Sequence, residues 1–418
     1  MTTEQFAHFF ADPLRSNRPL ASSEEAVIRN SYWETHSSLL RLEAQIKGLM
    51  LRHHALCNHR QMLATLLSPV RRLMPELLAE VFRYCLPRNY RKKGAHKAVM
   101  LPSHVCRHWR NVALSTPTLW TNIVLCITDE NFESRTTLMT TWFSRSGALP
   151  LLFTLEGREN VGPIITFLLQ HCNRWQNVNF SVPFKTHRCL ETAKGNLQHL
   201  ETINIQGTHT NTSYSIEHIF DSAPRLRKVS FDRRLMLNGL GGSWTQLTEL
   251  DTGTVSYTLG DCLALLQSMR SLQKLGIRVD HGDGVVERHH RHPFSHPLVS
   301  LCDRAERVDR TLFDHNTLPS LRNLYICEPD SDWSFIPFLE RSSPPLQHFS
   351  LRVPDEVSCL WADNMTQILQ HIPSLHSLCL KIGSSEWELG SFLKGLSPRI
   401  LDTGQVECFI PRLNTISI

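Results

Sequence analysis

No apolar run in this 418-residue chain approaches the eighteen residues that a membrane-spanning helix needs, so a helical bilayer span is excluded. Its opening stretch, MTTEQFAHFFADPLRSNRP, has no basic head followed by an apolar core, and the chain is expected to remain inside the cell, in cytoplasm or nucleus. An excess of one charge is missing too. The 44 lysines and arginines face 39 aspartates and glutamates, a formal balance of +5, which gives a nucleic-acid partner no compositional support. The 12 cysteines stand singly with no C-x-x-C pair, so reduced and mostly buried thiols are expected, not a disulfide framework or a zinc cage.

Catalytic signatures are absent as well. There is no G-x-S-x-G elbow and no G-x-x-x-x-G-K-[ST] phosphate loop, and Gly282-Asp283-Gly284 lacks the third glycine of a dinucleotide turn. His281, His289, His290, His292 and His296 are the one dense group of potential metal ligands. Without a cysteine pair or an H-E-x-x-H spacing they are expected to lie in a solvent-exposed loop. No catalytic residue, cofactor or metal is expected, and a metal-dependent enzyme using the histidine loop is the remote alternative.

What is present describes a soluble folded protein, 41% hydrophobic and 20% charged, long enough for two or three domains or for one elongated array. Residues 1–22 show no period and are expected to be disordered. Ser22 and Glu25 have capping-box spacing, and a long helix is expected over 23–67. Within it Leu39, Leu42, Ile46, Leu49, His53, Leu56, Arg60, Leu63 and Leu67 alternate steps of three and four, a heptad seam with two polar interruptions. Such a seam packs within the chain or supports weak self-association; His53 and Arg60 sit where a strong dimer places apolar side chains.

Residues 68–120 change character. Pro69 after Ser68, and Pro75 followed by Glu76, are helix-start devices: proline there loses no needed hydrogen bond, and the carboxylate faces the positive helix end. A helix from Pro75 to about Leu86 is expected to bury one broad face of Leu77, Leu78, Val81, Phe82 and Cys85. A second, capped by Ser103, carries Val105, Cys106, Trp109, Val112 and Ala113 on one side and stops before Pro117. Between them runs a basic stretch, Arg88, Arg91, Lys92, Lys93, His96 and Lys97, read as a solvated loop in preference to a nuclear address.

The order Leu73, Pro75, Glu76, Leu77, Val81, Phe82, then Val105, Cys106, Arg107, Trp109, Arg110, then Leu119, Trp120 resembles the F-box in its fungal form. Met74 departs from the second proline of many members, and the basic loop is long. The resemblance implies a small all-α module that docks a Skp-family adaptor and, through it, a cullin. Leu73, Pro75, Leu77, Leu78, Val81, Phe82, Val105, Cys106, Trp109 and Trp120 would make or shape that docking surface, some of them as interior residues.

From residue 121 to 418 the frame apolar-x-x-apolar-x-apolar recurs: WQNVNF, LETINI, LRKVSF, LQKLGI, LRNLYI, LQHFSL, LHSLCL and LNTISI, with weaker copies from Trp120, Pro150, Leu247 and Leu298. Composition alone supplies the frame at about 7% of positions, so spacing decides. From Trp175 the starts lie 25, 26, 21, 25, 26, 23, 25 and 29 residues apart, inside the period of leucine-rich repeats. Leu168-Leu169, Ile219-Phe220, Leu265-Leu266 and Ile368-Leu369 precede their strands at a constant offset. Three buried apolar side chains stabilise by about 5–9 kcal/mol, whereas ordering about 25 backbones costs roughly 25–50 kcal/mol. A repeat must therefore borrow burial from its neighbours.

This ladder resembles the leucine-rich-repeat tail of F-box proteins, without the asparagine or cysteine usual after the strand. The fold class expected is α/β: a long N-terminal helix, a small all-α F-box module, then an irregular leucine-rich-repeat solenoid with a parallel sheet. Around Leu298 the repeat reads as poorly formed. Outward strand positions would line a concave face, and Lys228, Asp232, Glu249, Asp251, Lys274, Arg278, Tyr325, Arg352 and Lys381 are the candidates for holding a target. The resemblance implies a non-catalytic substrate receptor of a ubiquitin ligase; a repeat scaffold for protein–protein interaction without a ligase role is the alternative.

Overall fold

A computed structural model describes residues 19–87, 95–158, 161–208, 217–231, 244–279, 294–304, 311–314, 316–327, 336–353, 361–382, 392, 396, 399–400, 406–407 and 410–417. The chain divides into two units, Met1–Leu78 and Ala79–Ile418.

The first unit is dominated by one helix, α1, Ser22–Leu66, with no buried residue along its 45 residues. Its start lies one residue earlier than Ser22 and Glu25 suggest. Ala21 is the extended residue before the helix, and its amide donates to the Glu24 carboxylate at 3.0 Å. Leu67 ends α1 by donating its amide to the Leu63 carbonyl, and a 3-10 turn, Pro69–Arg72, follows. Helix α2, Pro75–Tyr84, begins in this unit and continues into the second. It stops two residues short of Leu86, where the Cys85 amide is shared between the Val81 and Phe82 carbonyls. The broad face expected to be buried is split: Leu78 and Phe82, one turn apart, are buried, while Leu77, Val81 and Cys85 are exposed.

The second unit continues with α3, Ala95–Met100, a 3-10 turn Leu101–His104, α4, Arg107–Ser115, and a 3-10 turn Pro117–Trp120. Ser103 does not cap α4. Its hydroxyl donates back to the Met100 carbonyl at 2.7 Å, and Cys106, extended at φ −156°, is the residue from which α4 starts. Val105 and Cys106 consequently lie outside the helix and exposed, whereas Val112 and Ala113 face inward. Of the basic stretch, 88–94 lie outside the described residues and 95–100 are helix α3.

Behind this module each of the twelve apolar frames supplies one strand of a single sheet. These are β1 Asn122–Ile127, β2 Leu151–Gly157, β3 Trp175–Pro183, β4 Thr202–Thr208, β5 Lys228–Phe231, β6 Glu249–Tyr257, β7 Lys274–Val279, β8 Ser300–Asp303, β9 Asn323–Cys327, β10 His348–Val353, β11 Ser377–Ile382 and β12 Thr415–Ser417. They lie side by side in chain order and every pairing is parallel. Parallel neighbours need a crossover, supplied by helices such as α5 Phe132–Arg145, α6 Gly162–Leu169, α7 Leu259–Ser268, α8 Ile336–Ser342 and α9 Trp361–Gln370, or by 3-10 segments. Helix α7 shows why such a connection starts where it does: the Thr258 hydroxyl accepts the Asp261 amide and the Asp261 carboxylate accepts the Thr258 amide.

The repeat is visible in the hydrogen bonds. From Glu201 to His376, the carbonyl just before a strand accepts two amides from the next coil: Glu201 from Arg227 and Lys228, Arg227 from Thr248 and Glu249, and so on to His376, which takes Asn414 and Thr415. Along the strands before β12 the frame's apolar residues turn to one side and are buried, as Val178 and Phe180, Leu275 and Ile277, or Leu378 and Leu380 show, whereas in β12 at the end of the sheet Ile416 is exposed. The paired apolar residues ahead of the strands, Ile219-Phe220 and Leu265-Leu266 among them, close the same core from the crossover side.

Two expectations are corrected at the weak repeat. Residues 300–303 form a strand in full register, Ser300 opposite both Lys274 and Asn323, although the third inward position is Asp303, which is 1% exposed. His296, expected in an exposed loop, is 1% exposed, its Nε2 at 3.1 Å from the Met269 carbonyl. The described cysteines are free, but only Cys172 and Cys262 among them are buried, which corrects the expectation of mostly buried thiols. No helix among the described residues is long and apolar enough to cross a membrane.

Candidate functional site

Because β-strand side chains alternate, the positions between the buried ones form a polar face on the other side of the sheet. Backbone register arranges them in rows. One runs Thr202, Lys228, Glu249, Lys274, Ser300, Asn323, His348, Ser377; the next runs Asn204, Ser230, Asp251, Gly276, Cys302, Tyr325, Ser350, Cys379. Interior strands are bonded on both edges, so a partner would read side chains here, not unpaired backbone.

The most elaborate part of this face is centred on β6–β8. Glu249 stands between two lysines and accepts from both, Lys228 at 3.0 Å and Lys274 at 2.9 Å. Burial pushes the Glu249 carboxyl up, but the two lysines outweigh it and hold it below the usual range. In the next row Asp251 and Arg304 pair through two hydrogen bonds of 2.5 and 2.9 Å. For Asp251 too, burial works upward and is outweighed, here by Arg304 and by the Gly253 amide.

This pair sits on a break in the strand. Between Asp251, opposite Gly276, and Ser256, opposite Arg278, strand β6 carries extra residues. The bulge is pinned on both sides: the Asp251 carboxylate accepts the Gly253 amide at 2.9 Å, and Arg304 donates to the Gly253 carbonyl at 3.1 Å. Gly253 adopts φ +63°, a conformation that favours glycine. Opposite, Gly276 leaves the room the pair occupies; a Cβ there would lie 3.1 Å from the Asp251 carboxyl and 3.2 Å from Arg304 Nη1. Bulges of this kind re-aim side chains next to functional surfaces.

A cavity of ≈ 380 Å³ opens over this centre. A second, of ≈ 170 Å³, reaches from β8 to β11 and shares Ser300 and Cys302 with it. In the latter the Tyr325 hydroxyl lies 3.3 Å from Cys327 Sγ, which together with burial pushes the phenol up to about 12. Burial also raises the Cys302 thiol. Both groups stay protonated and uncharged near neutrality, so at these positions the face offers hydrogen bonds, not an activated nucleophile.

Of the predicted face residues, Lys228, Glu249, Asp251 and Lys274 are brought together around the first cavity. Tyr325 lines the second, with Lys381 Nζ 6.0 Å from its ring centre; Arg352 is exposed beside it, in register between Cys327 and Lys381, and Arg278 lies at the far end of β7. Asp232 lies outside the described residues. Arg304, Gly253 and Gly276 were not foreseen. Arg304 was findable, since it continues the outward alternation Ser300, Cys302 of the frame from Leu298.

The module residues divide by exposure. In the first unit Pro75 and Leu77 are exposed, Leu73 is half-buried and Leu78 is buried. In the second, Val81, Val105 and Cys106 are exposed, Trp109 is half-buried, and Phe82 and Trp120 are buried. Phe82 and Trp109 rings meet at 5.0 Å. Trp120 is anchored by its Nε1 donating to the Ala113 carbonyl at 2.8 Å, by edge contact with Trp142, and by the Arg145 guanidinium over its ring. Leu78, Phe82 and Trp120 are interior, and the exposed residues are available for contact.

Among the described residues no group of three or more His, Cys, Asp or Glu side chains could hold a metal ion; His281, His289, His290 and His292 lie outside them. No family model matches the chain, and no curated protein matches it.

Proposed function

We propose that the chain is the substrate-recognition subunit of a cullin-based ubiquitin ligase. Residues 68–120 are its F-box and dock the Skp-family adaptor; the twelve strands are the leucine-rich repeats of an irregular solenoid whose polar face holds the protein to be ubiquitinated. The receptor makes no bonds itself and raises the local concentration of target lysines near the transferring enzyme.

The observation that carries the reading is a helical segment with an apolar outside: Val81, Tyr84, Leu101 and Val105 are exposed, while Phe82, Val99, Val112 and Leu119 from the same stretch of short helices and turns are buried. A monomer gains nothing from exposed valine and leucine on elements that already have a core, and a foreign helical surface covering them would. The order of residues from Leu73 to Trp120 supplies the partner's identity by resemblance.

The test uses exposed positions. A Val81→Glu, Val105→Glu double variant should keep the wild-type unfolding temperature and lose capture of the purified Skp-family adaptor. Equal capture by wild type and variant would refute the docking assignment. An oligomeric chain that captures no adaptor would leave the repeat-scaffold reading in its place.

A further inference from the structure

Helix α1 is the most exposed apolar element among the described residues. Leu39, Leu42, Ile46, Leu49, Leu56 and Leu63 are each about half exposed or more, and nothing on the helix is buried. A single helix in water gains little from such side chains, whose burial is the usual source of helix stability. The seam they form also extends further than Leu39. Since α1 starts at Ser22, the same three-and-four stepping runs back through Thr35 and Tyr32 to Ile28. The seam therefore spans Ile28 to Leu67, about 60 Å of helix.

We propose that α1 pairs with α1 of a second copy of this chain as an antiparallel coiled coil. Arg60, the charged one of the two polar interruptions, decides the orientation. In a parallel dimer every seam residue meets its own copy, so Arg60 would face the partner's Arg60 inside the interface, two like charges with no acid between them. In an antiparallel dimer an a position faces a d position, and full overlap of Ile28–Leu67 fixes which. Ile46 then meets the partner's Leu49, Leu39 the partner's Leu56, and Leu42 the partner's His53. Arg60 meets the partner's Thr35, the one polar d position of the seam. Arg60 lands on Thr35, the His53 ring lies against Leu42, the other layers pair Ile28, Tyr32, Leu39 and Ile46 with apolar partners, and no cation faces its own copy.

Sedimentation equilibrium of the full chain over a range of concentrations reads this directly. The expected mass is twice 48.0 kDa. Ile46→Glu should weaken association at least about tenfold by placing an unpaired carboxylate against leucine. Thr35→Glu should tighten it severalfold, because the new carboxylate meets the partner's Arg60. Thr35→Arg should weaken it, and adding Arg60→Glu to the same chain should restore it by exchanging the pair. All these positions are exposed in the single chain, so the variants leave its own fold intact. A monomer at every concentration overturns the proposal. So does a dimer that Thr35→Glu weakens and the exchanged pair fails to rescue, since that is the behaviour of a parallel seam.

Discussion

Asp251 and Arg304, 53 residues apart in the chain, close a bidentate ion pair over the break in β6, and both also hold Gly253. Arg304 holds the Asp251 carboxyl below its ordinary range against the pull of burial. A depressed carboxyl contributes stability above the unfolded-state value, and the contribution disappears as pH falls through the folded value. Asp251→Asn should therefore lower stability at neutral pH by that contribution and flatten the acid limb of the stability curve, so that variant and wild type converge as pH falls below about 4. Both partners are about a third or more exposed, which limits the effect to about 1 kcal/mol or less. Urea unfolding at a series of pH values measures it.

Gly276 should tolerate no larger side chain. Its missing Cβ is the space into which the pair fits, and neither the carboxyl nor the guanidinium can retreat without releasing the bulge. Gly276→Val is expected to cost about 1–3 kcal/mol, the range for overpacking. It should also abolish the acid dependence that Asp251→Asn removes, so the two variants combined should not add. Additive effects in chemical denaturation would separate the glycine from the pair.

Interior and contact residues of the helical module should behave oppositely. Trp120 is wholly buried, hydrogen-bonded and in edge contact with Trp142, so Trp120→Ala is expected to cost about 3–5 kcal/mol. Val105 is 61% exposed, and Val105→Glu should cost less than about 0.5 kcal/mol. Thermal unfolding of both variants checks the contrast, which is needed before any loss of partner binding is assigned to contact and not to unfolding.

The strands were legible because a frame of three inward apolar residues leaves a period that composition cannot imitate, and twelve frames became twelve strands. Where the frame's third place is taken by Asp303 the repeat looked defective. The backbone register nevertheless continues, because it is set by neighbouring carbonyls such as Gln273 O, not by that side chain. The bulge and the pairing of Arg304 with Asp251 were hidden for another reason: Arg304 continues an outward alternation, but a pairing across three strands leaves no periodic trace. Burial within α2 was half legible. A helical period identifies a stripe, yet Leu77 and Leu78 both belong to it, and which is covered depends on neighbours the stripe does not name. Ser103 misled because a hydroxyl that ends one turn has the same spelling as one that begins the next.

His296 gives the core of the weak repeat a pH response. Burial pushes its imidazole below the ordinary value, with Arg270 adding to the shift and the Met269 carbonyl opposing it. A base whose folded value is lowered binds protons more readily when unfolded, so stability is full above about pH 6.5 and falls as pH drops toward the folded value. His296→Leu loses the contact to Met269, whose carbonyl keeps the Leu272 amide. At pH 8 the variant should thus be about 0.5–1.5 kcal/mol less stable than wild type. Between pH 6.5 and 5 the wild type should lose stability that the leucine variant keeps, and the two curves should converge or cross. Parallel curves over that interval would mean that the imidazole takes up its proton in the folded chain as easily as in the unfolded one, which a 1% exposed ring beside Arg270 does not permit.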